Sequence, residues 1–259
     1  EFQRRFIPRS DHRSSPFLQY HAYTTNFLRV IDFQTLALQE DYRLGHEVYL
    51  QTYPVLHALG STRDFLGTYA AAQYTIKIGA DGLGRASVET VNEFDTDQLF
   101  DGSVDANVQM TTPRWGPGRL VASAGAFNRY RNFLNRLSFL GGDGRLRGYP
   151  TAFFSGANVV TGNIEARTVP IDLTSVLVGA AAFYDVGSAF DGPFSNIPLR
   201  HGVGAGLRTL FPQLDRIVFR VDVAFPLNRD VDPTTGRVID PFALQFTFGQ
   251  AFGLGSIGP

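Results

Sequence analysis

The sequence predicts an all-β fold, namely a transmembrane antiparallel β-barrel of about twelve strands. Three features predict it: segments of about ten residues alternate apolar and polar side chains, turn residues separate them, and the last segment carries a stripe of large apolar side chains. We expect residues 1–259 to form a single barrel domain, with residues 1–16 loosely held or part of a first strand.

The clearest alternation lies in residues 99–112. Its apolar face carries Phe100, Val104, Ala106, Val108 and Met110, and its polar face carries Asp101, Ser103, Asp105, Asn107 and Gln109. Residues 158–168 and 216–225 repeat the pattern. A soluble β-sandwich would alternate in the same way. The segment lengths favour the barrel, because strands of about nine to eleven residues cross a bilayer.

The same alternation, followed along the chain, predicts eleven strands. They cover residues 17–37, 44–54, 65–79, 83–94, 99–112, 118–131, 155–168, 176–188, 201–211, 215–226 and 241–252. Because bacterial single-chain barrels normally have an even number of strands, we expect a twelfth in residues 1–8 or 132–140.

Composition narrows the possible functions. The net charge is −1 and no Lys/Arg run stands out, so nucleic acid is not an expected partner. The chain has no cysteine, which excludes disulfides and thiolate metal sites. No histidine lies in a nucleophile motif and no G-x-S-x-G is present, so we expect neither catalysis nor a cofactor. Inward carboxylates such as Asp101 and Glu89 are expected to pair with lumenal arginines rather than with a metal.

The most unusual segment is LGGDGRLRGYP, residues 140–150, which holds four glycines, two arginines and one aspartate. A surface hairpin with solvated arginines is one interpretation. The second interpretation of this segment depends on motifs further along the chain. A Gly141-Gly142 pair precedes the tetrad Leu146-Arg147-Gly148-Tyr149. Phe183, Asp185 and Gly187 follow as F-x-D-x-G, and residues 202–208 and 220–226 read GVGAGLR and RVDVAFP.

These four motifs, in this order, resemble the BamA-type superfamily of outer-membrane assembly factors and two-partner secretion transporters, also called the bacterial surface antigen family. The resemblance is strong over residues 140–252. Family members usually have sixteen strands, five of them after the loop. Five predicted strands follow the loop here and six or seven precede it, so we expect a shorter or truncated barrel.

The resemblance implies a location in the bacterial outer membrane and the insertion of outer-membrane proteins or the movement of polypeptides, without covalent chemistry. The partners that the resemblance implies are outer-membrane lipid, client polypeptides and periplasmic or lipoprotein partners. It implies that the loop folds into the lumen, where the Arg147 fork is suited to bind Asp185, with Glu165 as a second candidate. The aromatic C-terminal insertion signal would comprise Phe242, Leu244, Phe246, Phe248 and Phe252. A passive pore or structural barrel without a client is the alternative function.

Overall fold

The computed structural model describes residues 9–95, 98–142, 145–214, 216–231, 236, 238–251 and 257–258. Within these ranges the regular structure is β-strand, apart from one 3-10 turn at His57–Leu59. The strands are β1 (Leu18–Tyr23), β2 (Asn26–Ile31), β3 (Gln39–Val55), β4 (Phe65–Ile78), β5 (Gly82–Asp95), β6 (Gln98–Thr111), β7 (Gly118–Asn132), β8 (Ser138–Leu140), β9 (Phe154–Gly156), β10 (Asn158–Thr168), β11 (Ile171–Asp172), β12 (Leu177–Phe190), β13 (Arg200–Leu210), β14 (Phe219–Pro226) and β15 (Ala243–Phe248). Nowhere in the described ranges is a helix long and apolar enough to cross a membrane.

The expected all-β, antiparallel architecture is confirmed. Thirteen strands form one sheet, and its path runs β1-β3-β4-β5-β6-β7-β10-β12-β13-β14-β15, with every pair antiparallel. The predicted strands 65–79, 83–94, 99–112 and 118–131 coincide with β4 to β7 almost to the residue. Local period-two patterning was therefore sufficient to locate them.

Several strand predictions need correction. The predicted strand 215–226 begins only at Phe219, and the predicted strand 241–252 is shorter, since β15 covers Ala243–Phe248 and residues 249–251 lie outside it. The predicted strand 17–37 is interrupted at residues 24–25. This strand ends at Ile31, and residues 32–38 form a bent loop. Residues 132–140 do not supply a twelfth barrel strand, because β8 has three residues and pairs only with β9 in a separate sheet. Residues 1–8 lie outside the described residues. The sheet path has eleven members, and no described residue of β1 or β2 pairs with β15, so the described ladder is not closed.

β1 and β2 together form one side of a long hairpin whose other side is β3. β1 pairs with β3 from Leu18↔Thr52 to Tyr23↔Glu47, and β2 continues in the same register from Asn26↔Leu44 to Ile31↔Gln39. Pairing of β3 with β4 begins only at Gly45↔Thr75. Residues 26–44 therefore extend beyond the sheet as a two-stranded ribbon, which we call the hairpin tip.

The sheet curls back on itself. Eight inter-strand steps separate β3 from β14, which would place them about 38 Å apart in a flat sheet. Arg216, just before β14, nevertheless donates a hydrogen bond of 2.8 Å to the carbonyl of Gln39. Leu36, near Gln39, also packs with Leu177, Leu210 and Val218, which belong to β12, to β13 and to the segment just before β14. The two sides of the sheet thus face each other across a shared interior.

Burial is inverted relative to a soluble protein. The concave face buries charged side chains, and the convex face exposes large apolar ones. Buried charged residues include Glu47, Glu93, Asp101, Arg119, Glu165, Arg167, Asp185, Arg208, Arg220 and Asp222. Exposed apolar residues include Leu18, Tyr20, Ile76, Val88, Val108, Met110, Ile164, Leu207, Val223 and Phe225. In β15 and next to it, Phe242, Leu244, Phe246 and Phe248 are all more than half exposed, whereas Phe252 lies outside the described residues.

Candidate functional site

The glycine loop is held at its base by the short β8–β9 ladder, which joins Leu140 to Phe154. Between these strands the backbone turns through left-handed conformations at Gly141 (φ 120°), Gly142 (φ 79°) and Gly148 (φ 94°). A side chain at Gly148 would also meet the backbone of Phe225 and Pro226. Glycine is required here because both the dihedral angle and the close approach exclude a Cβ atom.

Arg147 lies at the centre of the site and is fully buried. Its Nε donates to Asp185 Oδ2 at 2.7 Å and its second terminal nitrogen to Asp185 Oδ1 at 2.8 Å, which is the bidentate geometry expected for an arginine fork. The backbone N–H of Arg147 also donates to Asp185, at 3.1 Å. Its remaining terminal nitrogen donates to Glu165 Oε2 at 2.6 Å. The predicted contact of Arg147 with Asp185 or Glu165 is confirmed for both carboxylates.

The F-x-D-x-G segment of β12 contributes three different contacts to this site. The Phe183 ring lies under the Arg147 guanidinium, 3.3 Å from carbon to ring centroid, so the cation is stacked on an aromatic face. Asp185 supplies the paired carboxylate. Gly187 leaves space that Leu140, at the base of the loop, occupies. Period-two alternation places all three residues on the concave face.

The glycines of β13 provide a flat surface for the loop and its partners. A Cβ atom at Gly202 would overlap the carbonyl oxygen of Arg147, and one at Gly204 would overlap the Phe183 ring. The missing side chains at Gly202 and Gly204 therefore permit the close approach of the loop backbone and of the Phe183 ring.

The two carboxylate partners belong to a larger buried ion network. Glu165 also accepts from Arg167 at 2.8 Å and lies 3.3 Å from Arg208. Asp222 lies 2.5 Å from Arg208, 3.3 Å from Arg220 and 3.6 Å from Arg147. Four arginines and three carboxylates thus share one buried volume, where each charge has partners of opposite sign.

Sequence reasoning missed two members of this site. Asp222 was not identified as a partner, and neither was Asn163, whose side-chain amide donates to Asp185 at 2.9 Å and to the carbonyl of Arg145 at 2.7 Å. Both residues lie on the polar, inward faces of their strands, and that alternation was the available signal.

The other two residues of the tetrad anchor the loop by packing and by hydrogen bonds. Leu146 belongs to an apolar cluster that includes Leu140, Tyr149 and Val159. The Tyr149 hydroxyl donates to the carbonyl of His201 at 2.9 Å, and the carbonyl of Asn228 lies 3.1 Å from the same oxygen. The loop is therefore attached along its whole described length.

A second ion cluster lies at the opposite side of the interior, outside the strands of the loop site. Asp11 binds Arg63 at 2.8 Å and Arg13 at 2.7 Å, and Arg63 and Arg13 also bind Glu93. The Arg63 hydrogen bond is the main cause that lowers the pKa of Asp11 below its ordinary value. The inward carboxylates predicted to pair with arginines do so in part: Asp101 lies 3.7 Å from Arg129, whereas Glu89 accepts from Tyr69.

Within the described ranges, no group of three or more His, Asp or Glu residues has an arrangement that could hold a metal ion. The chemistry of the loop site is that of an anchor: an ion network holds one pliable loop against three strands. A scan against protein-family models finds no match, and no curated protein matches the chain at a significant level.

Proposed function

We propose that this chain is a β-barrel of a bacterial outer membrane, similar to the BamA-type superfamily, that inserts outer-membrane proteins or moves polypeptides across the membrane. The observation that carries the proposal is the position of Arg147, bound by Asp185 and Glu165 and stacked on Phe183. Residues from separate motifs of the resemblance meet in one contact. Motifs shared by chance would have no reason to converge in this way.

The distribution of side chains supports a membrane location. A convex face with exposed apolar side chains and a concave face with buried charges is the arrangement of a barrel whose outside contacts lipid. In water, an exposed apolar surface of this extent would favour association or aggregation. The aromatic side chains of Phe242, Phe246 and Phe248 suit the same lipid environment.

The edge of the sheet supports the polypeptide function over a passive pore. β15 pairs with β14 from Phe219↔Phe248 to Ala224↔Ala243, and on its other side the described residues provide no partner strand. In hydrocarbon each unpaired backbone N–H or C=O costs several kcal/mol. A client strand that added to this edge would satisfy those groups by β-augmentation.

An assembly assay in liposomes tests the proposal. The purified protein is reconstituted, and insertion of a nascent outer-membrane barrel is followed by its protection from protease. We expect insertion above that of protein-free liposomes. If the protein enters the bilayer but does not accelerate insertion of the client barrel, the proposal is overturned and the passive pore or structural barrel is favoured.

A crosslink tests the role of the edge. The chain has no cysteine, so a protein with Tyr20→Cys and Leu244→Cys can be treated with a long, reducible thiol crosslinker without reactions at other thiols. We expect the crosslink between β1 and β15 to stop client assembly and reduction to restore it. Val223→Cys with Leu244→Cys is the matched control, because these residues already pair across β14 and β15. Equal client assembly by both crosslinked proteins would exclude edge opening.

A further inference from the structure

The hairpin tip, residues 26–44, lies across one end of the curled sheet, which we call the short-turn end because the turns 79–81 and 112–117 lie there. Its apolar residues Leu28, Val30, Phe33 and Tyr42 pack on Leu83 at the start of β5. Leu36 packs on Leu177, Leu210 and Val218, from the opposite part of the sheet. One short segment therefore reaches both sides of the opening and covers it.

The bend that directs the tip across the opening is at Gly45. This residue has φ 90°, and a Cβ atom there would overlap the Thr24 side chain. The inward face of β3 also changes at Gly45. Residues an odd number apart in a regular strand point to opposite faces. Tyr42, before Gly45, and Glu47, after it, are such a pair, yet both are buried. A glycine in this conformation allows the ribbon to leave the plane of the sheet without strain.

The tip is rigid within itself. The Glu40 carboxylate accepts the backbone N–H groups of Phe33 at 3.0 Å, Gln34 at 2.9 Å and Thr35 at 2.9 Å, as well as the Thr35 hydroxyl at 2.7 Å. The Tyr42 hydroxyl donates to the same carboxylate. A single charge thus organises residues 33–35, so the loop is expected to move as one body.

The contacts that attach the hairpin tip to the rest of the molecule are mainly hydrogen bonds to its backbone carbonyls. Three arginines donate to backbone carbonyls of the tip: Arg119 to Ile31 at 3.1 Å, Arg167 to Phe33 at 2.8 Å and Arg216 to Gln39 at 2.8 Å. The ionic attachment of the tip at this end is that of Asp32 to Arg114, at 3.0 Å, and Arg114 is itself more than a third exposed. These bonds can be exchanged for water with less cost than a buried ion network.

A polar chamber is lined by Arg145 of the glycine loop and by strands that include β5, whose first residues the tip covers. It is a cavity of about 300 Å³ lined by Gln73, Arg85, Glu89, Asn107, Gln109 and Arg145. Arg85 is two residues from Leu83, which the tip covers, and Arg145 belongs to the glycine loop. Polar groups in a chamber of this size suit water and small hydrophilic solutes.

We propose that the hairpin tip is a hinged lid that closes the short-turn end of a solute conduit through this chamber. The inference depends on the proposed membrane barrel but not on its polypeptide activity. At rest the lid is closed, because Phe33 and Leu36 are only 3% and 4% exposed and opening would return them to water. Displacement of the tip as a rigid body about Gly45 opens the chamber to the short-turn side.

Planar-bilayer conductance of the full chain tests the lid. In Asp32→Arg, the anchor to Arg114 is lost and the new cation faces Arg114 and Arg119. We expect open probability to rise roughly tenfold or more, the change that a loss of about 1.4 kcal/mol of anchoring gives. Asp41→Arg is the matched control: it makes the same charge change on the same ribbon, where Asp41 pairs with the exposed Arg29. Equal conductance of the two variants would overturn the lid.

A second variant keeps the test decisive if Asp32→Arg folds poorly. Asp32→Cys with Arg114→Cys, joined by a reducible crosslinker, holds the lid by a covalent bond. We expect low conductance while the link is intact and a rise after reduction in the same sample. A second readout needs no bilayer. Ser87 also lines the chamber, and a single Ser87→Cys should react faster with a soluble thiol reagent when Asp32→Arg is also present. Unchanged conductance on reduction, or an unchanged labelling rate, would exclude the lid.

Discussion

Removal of the Arg147 side chain is the most direct test of the loop anchor. In Arg147→Ala, Asp185 loses both bonds of the fork and keeps only the backbone N–H of residue 147 and the Asn163 amide. Glu165 keeps Arg167 and Arg208. The cost therefore falls on Asp185, a buried carboxylate left without a cationic partner in contact.

Breaking a buried ion pair from one side typically costs about 3 to 5 kcal/mol. Because two neutral donors remain on Asp185, we expect the lower end of that range, about 3 kcal/mol of unfolding free energy. Arg147→Lys retains a charge but cannot form the fork, so we expect an intermediate loss of about 1.5 kcal/mol. Arg145→Ala is the matched control, since Arg145 is exposed in the same loop and should change stability by less than about 0.5 kcal/mol.

The assay is urea unfolding in detergent micelles, followed by far-ultraviolet circular dichroism. A double-mutant cycle with Asp185→Ala isolates the pair, and we expect a coupling of about 1 to 3 kcal/mol. Limited trypsin digestion adds a local readout, because a released loop exposes the bond after Arg145 to cleavage. The reasoning is refuted if Arg147→Ala unfolds at the same urea concentration as Arg145→Ala, or if the two single losses simply add.

Two further predictions concern other contacts. Gly202→Ala should destabilise the protein by about 1 to 3 kcal/mol, because the new methyl group overlaps the Arg147 carbonyl. Gly179→Ala is the control and should leave the stability unchanged, because its methyl group meets nothing closer than 3.7 Å. Equal urea midpoints of the two variants would contradict the prediction. Asp11→Asn should lower stability at pH 7. Because the folded-state pKa of Asp11 is depressed below its ordinary value of 3.8, its contribution is complete above that value and is lost as the pH falls through the folded-state pKa. Thermal unfolding of both proteins at pH 7 and below pH 3.8 checks this, and a constant difference would exclude it.

Strand positions and faces could be predicted because period-two alternation is a local property. In β12, Tyr184 is exposed and Asp185 is fully buried, as the pattern requires. The same signal failed at residues 17–37. There one strand was predicted through residue 37, but the strand ends at Ile31, and Leu28, Val30 and Phe33 pack on Leu83. Burial against protein and burial in lipid give the same pattern, and the change of face at Gly45 depends on a single glycine dihedral angle.

The loop site was predictable only in its central pair. Alternation placed Asp185 and Glu165 inward, and the resemblance supplied the arginine. Asp222 and Asn163 could not be assigned, because their distance from the loop depends on strand register. Gly206 pairs with Asp222, and Asn163 pairs with Asp185. The space that lets Phe183 lie beneath Arg147 depends equally on the glycines of β13, whose role is to lack side chains.

Arginines hold both segments that fill the interior, but with bonds of different strength. Arg147 is itself part of the glycine loop and is bound by buried carboxylates, so its release would leave buried charges unpaired. Around the hairpin tip the arginines belong to the surrounding sheet and donate mainly to carbonyl oxygens, which water can satisfy after release. The electrostatic part of the cost of opening is therefore lower at the tip, where the main opposing term is the exposure of apolar side chains such as Phe33 and Leu36. If one of the two segments moves while the fold stays intact, we expect it to be the tip.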